Sequence, residues 1–372
     1  MTRDNLFIFL GRCLSLGRNP ENDQEVKHII STGQVDWDQF VTLASNHLVI
    51  PALYSRFNSE GLLPYLPNEL SSHLKMIYDL NCTRNRAIME QTDRINRLFA
   101  TAGISPIYLK GTGNMLDNLY ENLGDRMIGD IDILVSEDEF LTAANLLKSK
   151  GYEHIHKFHE DQRTATKHFP RLVHPTEPAD VEIHRVPVNV ELSAHFNYGI
   201  IEKEKKQVSA MSPAFVLSDR HNVILNFMHG FMGSDIRLSK SVSYRNMFDL
   251  FLLSSRVDVF KVFEQMPEYA PEGRIYADFV NRNMNIVPSR LPWFRSIRFF
   301  QKHDLFLKSK FIYRLSWLSG YLVYRIWNGY FRNVAGVFFN NQIRKSVLRR
   351  LSTPSWYISH IKSYTNSFKQ NL

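Results

Sequence analysis

Apolar positions recur at helical spacing through roughly the first hundred residues. In the run WDQFVTLASNHLVIPALYSRF, Trp37 to Phe57, they fall three and four apart, with Pro51 punctuating the run. Leu70 to Phe99 contains no Gly or Pro. Its apolar residues Leu74, Ile77, Leu80, Ile88, Ile95, Leu98 and Phe99 recur at spacings that predict one long amphipathic helix. The pattern changes at Gly103. ISPIYLKG, Ile104 to Gly111, reads as a short buried strand ending in a glycine turn, followed by a helix over Asn114 to Tyr120 and a second strand over Ile128 to Val135. Ser136 and Glu139 make a capping box for a helix running to about Lys150, with Gly151 as its C-cap. Tyr152 to His156, Thr166 to Val173 and Asp180 to Val186 read as further strands, giving a βαβαβββ-like core. Residues 190 to 290 turn helical again, with Pro213 near one start and Pro267 and Pro271 breaking the end.

The expected organisation is therefore a helical region over 1–100, a mixed core over 101–190, a helical domain over 191–289 and a C-terminal tail over 290–372. Hydrophobic residues make up 44% and charged residues 22%, which excludes a disordered chain and suits a globular one. Leu6 to Leu10 is too short for a signal-peptide core. The longest aromatic-rich run, Leu315 to Tyr324, is bounded by Arg314 and Arg325, so no membrane span is expected. Two cysteines, Cys13 and Cys82, with no metal-ligand spacing argue against zinc and disulfides and fit a reducing cytoplasm.

The net charge of +8 hides an asymmetry. From Arg290 to Leu372 fifteen Lys/Arg face one acid, Asp304, so the tail carries +14 and the rest of the chain −6. Four of the five tryptophans lie in this tail. It fits a basic helical cap covered by its own aromatics, a peripheral contact with the inner face of a membrane, or nucleic-acid binding.

Candidate chemistry centres on GDIDILV. On a strand, Asp130 and Asp132 point the same way, while Ile131, Ile133 and Val135 point to the opposite face. Two carboxylates side by side repel each other unless a cation sits between them, and hard oxygen ligands suit magnesium. The alternative is an exposed strand face with solvated acids. In ADVEIHRV, Glu182 would join the cluster if its strand pairs beside the first; otherwise it is an edge-strand glutamate, and Asp180 is a second candidate for the third acid. Three carboxylates can hold two metals that clamp a phosphoryl displacement. LKGTG turns from strand to helix, where backbone N–H groups and Lys110 could meet a triphosphate. Arg126 could also reach the polyphosphate, or pair with Asp125 or Glu121.

This order of KG, helix, GDIDILV and distant VEIH resembles the polymerase-β-type nucleotidyltransferase superfamily. More narrowly, the chain is similar to bacterial nucleotidyltransferase-family proteins of largely unassigned substrate. That likeness covers WDQFVTLASNHLVIPALY, YLKG, LGDRMIGDIDILV, LKSKGY, VEIH, and His229 with RNMFDL. It implies an α+β fold, a minimal nucleotidyltransferase core of mixed sheet and flanking helices between helical regions. It implies metal binding by Asp130 and Asp132, with Glu182 as third acid and as a base for the acceptor hydroxyl, and Gly111 and Thr112 in the phosphate-binding turn. Two magnesium ions and an NTP would be used, with nucleoside monophosphate passing to an acceptor hydroxyl or phosphate. Two departures stand out: Thr112 replaces the usual Ser or Gly, and the gap to Asp130 is longer than the superfamily's.

Other residues read as follows. His184, two after Glu182, borders the site or is structural; His229, on an apolar helix, reads as a core histidine; Arg245 and Asp249, four apart, read as an ion pair. Two other functions stay open: a non-catalytic nucleotide- or partner-binding module, and a membrane-surface protein acting through its tail.

Overall fold

The structure is a computed structural model that describes residues 1–154, 166–209, 211, 213–233, 242–287, 290–309, 311–316 and 318–319. Residues 1–308 form one compact unit and 309–372 a second, in which 311–316 are helical.

The first hundred residues fold as expected into helices: α1 (Arg3–Leu14), α2 (Pro20–Ser31), α3 (Trp37–Asn46), α4 (Ile50–Ser59) and α5 (Asn68–Ala100). The run Trp37 to Phe57 is two of them. The chain breaks at Leu48, whose φ of 57° lies in the left-handed region, and Pro51 then sits in the first turn of α4, where its missing N–H costs nothing. At 33 residues, α5 spans about 50 Å. Its Leu70 and Leu74 pack among the helices, while Ile88, Ile95 and Phe99 pack under the sheet. Leu80, expected on the inner face, is 61% exposed; Asn81 and Asn85 take the inner positions instead.

The α+β class holds. After α5 come β1 (Ile107–Tyr108), α6 (Lys110–Leu116), β2 (Asp130–Leu134), α7 (Phe140–Lys148), β3 (Glu153–His154), β4 (Leu172–Val173) and β5 (Asp180–His184). The Ser136–Glu139 capping box forms, with Ser136 N donating to Glu139 and Glu139 N to Ser136 Oγ, and Gly151 adopts φ 91° after α7. The helix expected over Asn114 to Tyr120 begins four residues earlier, at Lys110. Gly113 makes this possible: a Cβ there would lie 2.4 Å from the carbonyl oxygen of Tyr108, so α6 packs directly on β1. The strand expected over Thr166 to Val173 is reduced to β4 and an isolated bridge between His168 and His184. Part of the Tyr152 to His156 strand lies outside the described residues.

Beyond β5 follow α8 (Tyr198–Ile201), β6 (Lys206–Gln207), β7 (Phe215–Val216), α9 (Asp219–Gly230), α10 (Tyr244–Leu253), α11 (Val259–Glu264), α12 (Ala270–Met284) and α13 (Phe294–Lys308). The stretch read as wholly helical thus contributes β6 and β7. Strands of two residues carry no alternation to read. Pro271 opens α12 rather than ending a helix.

Among the described residues seven strands form one mixed sheet in the order β3-β4-β5-β2-β1-β7-β6. Ile131, Ile133, Val135, Val181 and Ile183 are fully buried beneath it against α5 and α7. Each such side chain contributes roughly 1.5–3 kcal/mol. A slip by one residue would forfeit this burial, so the apolar face fixes which side the intervening polar residues take.

Candidate active site

Four polar side chains on α5 set the entry to the two central strands. Arg84 donates to the carbonyls of Ile128, Gly129 (3.2 Å) and Pro178 (3.3 Å), tying the start of β2 to the start of β5. Asn81 and Asn85 donate to the loop carbonyls of Gly124, Leu123 and Arg126 at 2.7–3.1 Å. Gln91 closes a two-way amide pair with Ala179, immediately before β5.

With the strand entries fixed, β2 and β5 pair in parallel, aligning Asp130 with Asp180, Asp132 with Glu182 and Leu134 with His184. Because partners in register share a face, the acids are gathered on the side opposite the apolar residues. Asp132 and Glu182 are buried, His184 is completely so, and Asp130 is half-buried. Asp132 Oδ1 accepts from Lys110 and from His184 Nε2 (2.8 Å). An ionised carboxylate only accepts, so His184 carries its proton on Nε2. Glu182 Oε1 accepts from Arg171 at 2.9 Å, and the same guanidinium reaches Asp130 Oδ2 (3.2 Å) and Asp180 Oδ2 (3.6 Å).

These contacts divide the acids electrostatically. Burial pushes Asp132 up, but Lys110 and His184 outweigh it and hold the carboxyl well below its usual range. Glu182, opposed by burial but hydrogen-bonded to His184 and facing His168, is held at about 2. Asp130 goes the other way, raised by burial and by the Asp132 charge. Lys110 stays charged despite burial because Asp132 outweighs the loss of solvent. It also adopts a left-handed backbone, φ 48°, a conformation that costs a lysine about 1–3 kcal/mol and is retained at functional positions.

The residues present fit a divalent cation. Asp132 and Glu182 offer hard oxygen ligands, and these lie within 4.8 Å of each other and of a ring nitrogen of His184, which can orient them from behind. Arg171, which now neutralises the outer oxygens, has a side chain 44% exposed, so its ion pairs are screened and cheap to exchange.

A family model described as an uncharacterised nucleotidyltransferase matches residues 33–265. The chain belongs to this family. No curated protein matches it, and no solved structure does. The span shared with this nucleotidyltransferase family runs from before α3 to the end of α11 and contains the whole sheet.

Of the site residues expected from sequence, Asp130, Asp132, Glu182 and Lys110 meet at one place, and His184 lies beneath Asp132. Gly111 and Thr112 sit in the first turn of α6, where Thr112 is fully buried and donates to the Asp130 carbonyl at 3.4 Å. Arg126 pairs with neither Asp125 nor Glu121. Its guanidinium is buried, donating to both oxygens of Asp249 at 3.0–3.3 Å, to Tyr120 and to the Met127 carbonyl. The expected Arg245–Asp249 pair is therefore absent, since Arg126 occupies Asp249. His229 is not a core residue: it is exposed and opens on a pocket shared with Lys110 and Arg245. Arg171 and Lys167 were missed. Lys167, half-buried and within electrostatic reach of Asp130, Asp132 and Glu182, is lowered by burial and by Lys110.

The raised Asp130 has a measurable consequence. A carboxyl whose folded pKa exceeds its unfolded value subtracts stability wherever it is ionised, and protonation relieves the penalty. Asp130→Asn should therefore melt at or up to about 3 °C above wild type at pH 7 in chelator. Magnesium should raise the wild-type melting temperature and lose most of that effect in the variant. A variant stabilised by magnesium as strongly as wild type would count against Asp130 as a ligand.

Proposed function

We propose that this protein catalyses magnesium-dependent transfer of a nucleoside monophosphate from an NTP to an acceptor hydroxyl or phosphate, releasing pyrophosphate. The parallel register of β2 with β5, which collects the acids on one face, is the observation that carries the reading. Asp130, Asp132 and Glu182 would supply the oxygen ligands that magnesium prefers. Bound magnesium would offset the charge that develops on the transferred phosphoryl group.

The chain's own groups have distinct tasks. His184 orients Asp132 from below, as an outer hydrogen-bond partner does at metal sites. Thr112 and Arg84 hold the backbone on either side of Asp130, so its carboxylate has a fixed origin. Lys110, on the lip between the acids and the neighbouring pocket, is placed to exchange Asp132 for a phosphate oxygen. Lys167 adds a second cation. Arg126, committed to Asp249, acts on the wall of the site rather than on the substrate. The test is incubation of the full chain with magnesium, each labelled NTP and cell extract as acceptor source. Labelled product with released pyrophosphate is expected; NTP binding without any release would indicate a binding module on the same fold.

A second surface has its own support. On α13, Phe294, Ile297 and Leu305 are exposed beside exposed Arg295, Arg298 and Lys302, and Leu291 just before it is 86% exposed. Such a face suits anionic lipid. No described helix is long and apolar enough to cross a membrane, so the contact would be peripheral. Residues 320–372 of the tail lie outside the described residues. The full chain should float with vesicles containing phosphatidylserine and lose this in Phe294→Ser/Arg298→Glu; a salt-sensitive RNA shift without flotation would favour nucleic acid.

A further inference from the structure

We infer that the pocket enclosed by α6, α9 and α10 is a binding site for a single phosphate-sized oxyanion, gripped by Arg245. The inference deepens the nucleotidyltransferase reading and rests on it for the origin of the phosphate.

Lys110, which pairs with Asp132, also lines this pocket. The pocket's volume is about 40 Å³. That is far below the roughly 300–1,000 Å³ of pockets that enclose a whole small molecule, and it suits one tetrahedral anion. Its lining is unbalanced in charge. Among the described lining residues, Lys110, Arg126 and Arg245 stand beside one carboxylate, Asp249, with Lys110 also paired to Asp132. Both oxygens of the Asp249 carboxylate are occupied by Arg126, and Tyr120 donates to one of them. Arg245, one turn before Asp249 on α10, is thereby deprived of its natural partner. Its Nε is buried with no hydrogen-bond partner among the described residues.

Asp249 and Asp130 attract the Arg245 charge from a distance, but a partly buried guanidinium without a hydrogen-bonded counter-ion is destabilising. Its planar fork matches a phosphate better than any other common ligand. The amides around it are already fixed: Asn222 donates to Asn114 at 2.6 Å, and Asn226 donates to the Asn246 carbonyl at 3.0 Å and accepts from Tyr276 at 2.7 Å. They shape the pocket without neutralising it. With Lys110 shared between the acids and this pocket, a phosphate bound here is joined to the site that would hold magnesium.

The experiment is calorimetric titration of the full chain with inorganic phosphate, paired with thermal melts. Wild type should bind phosphate. Arg245→Met should bind it roughly ten- to a hundredfold more weakly, the loss of a charge-assisted contact. The unliganded variant should melt at or above wild type, because an uncompensated charge has been removed; a merely structural arginine would lower the melting temperature instead. Asp132→Asn should keep phosphate binding or tighten it, since Lys110 is released. Failure of the catalytic reading would thus appear in turnover, and failure of this one in binding.

Two sources of the phosphate are separable. If it is the end of the donor polyphosphate, ATP and tripolyphosphate displace phosphate and lose affinity in Arg245→Met, while AMP does neither. If it belongs to the acceptor, phosphate still binds the ATP-saturated protein, and the variant binds ATP as wild type does. Should Arg245→Met not fold, Arg245→Lys, which keeps the charge but not the fork, is expected to weaken phosphate severalfold. No phosphate binding by wild type, or equal binding by wild type and the folded variant, overturns the inference.

Discussion

Asp132→Asn is expected to lower magnesium-dependent NTP turnover at least about a thousandfold, equivalent to about 4 kcal/mol of barrier. Asp132 is the most deeply placed of the acids and the one on which Lys110 and His184 converge. Removing its charge takes a ligand from the cation site and leaves Lys110 without its nearest counter-charge. Asparagine is the informative substitution because its amide oxygen still accepts from His184, so the strand keeps its local hydrogen bonding. Lys110 also keeps the attraction of Asp130 and Glu182, which helps hold its charge now. The fold should therefore persist, as judged by circular dichroism and a cooperative melt, while pyrophosphate release falls. Turnover close to wild type in a folded Asp132→Asn would remove the acids from the chemistry and leave the family membership without a catalytic site.

The acid pair was legible because a strand repeats every two residues: GDIDILV states its own faces, and the buried isoleucines confirm which side is which. Glu182 was legible only conditionally, since its place depended on β5 pairing beside β2, a contact between strands some fifty residues apart. The groups that answer the acids were not legible. Arg171 and Lys167 belong to a stretch read as one strand, and nothing in KHFPRLVH says that it pairs along the edge of β5, which brings both cations to the acids. The asparagines of α5 were read past because an amphipathic stripe is sought among apolar residues, whereas here Asn81 and Asn85 face inward to hold a loop. The Arg245–Asp249 spacing was read correctly as a shared helix face, but Arg126, more than a hundred residues earlier in the chain, pairs with Asp249 instead. Local periodicity finds faces; it does not find which distant side chain reaches a face first.

That competition for Asp249 yields the largest expected effect on stability. Arg126 and Asp249 are 7% and 5% exposed at the side chain and joined by three contacts. Burying such a pair need not stabilise a protein over an apolar pair, but removing one partner leaves the other charged, desolvated and unmatched, at about 3–5 kcal/mol. Asp249→Ala should accordingly melt about 4 to 6 °C below wild type, while Arg126→Met/Asp249→Leu should recover most of the loss. A single variant melting within a degree or two of wild type would show that the pair is not a structural element. The same substitution leaves Arg126 and Arg245 both without a carboxylate beside one small pocket. If that pocket accepts phosphate, inorganic phosphate should raise the melting temperature of Asp249→Ala by more than it raises wild type, because the bound anion then stands in for the missing side chain. A deficit that phosphate does not reduce would mean that the two arginines are held too far from a common anion, and would separate the role of Asp249 in the wall from the binding assigned to Arg245.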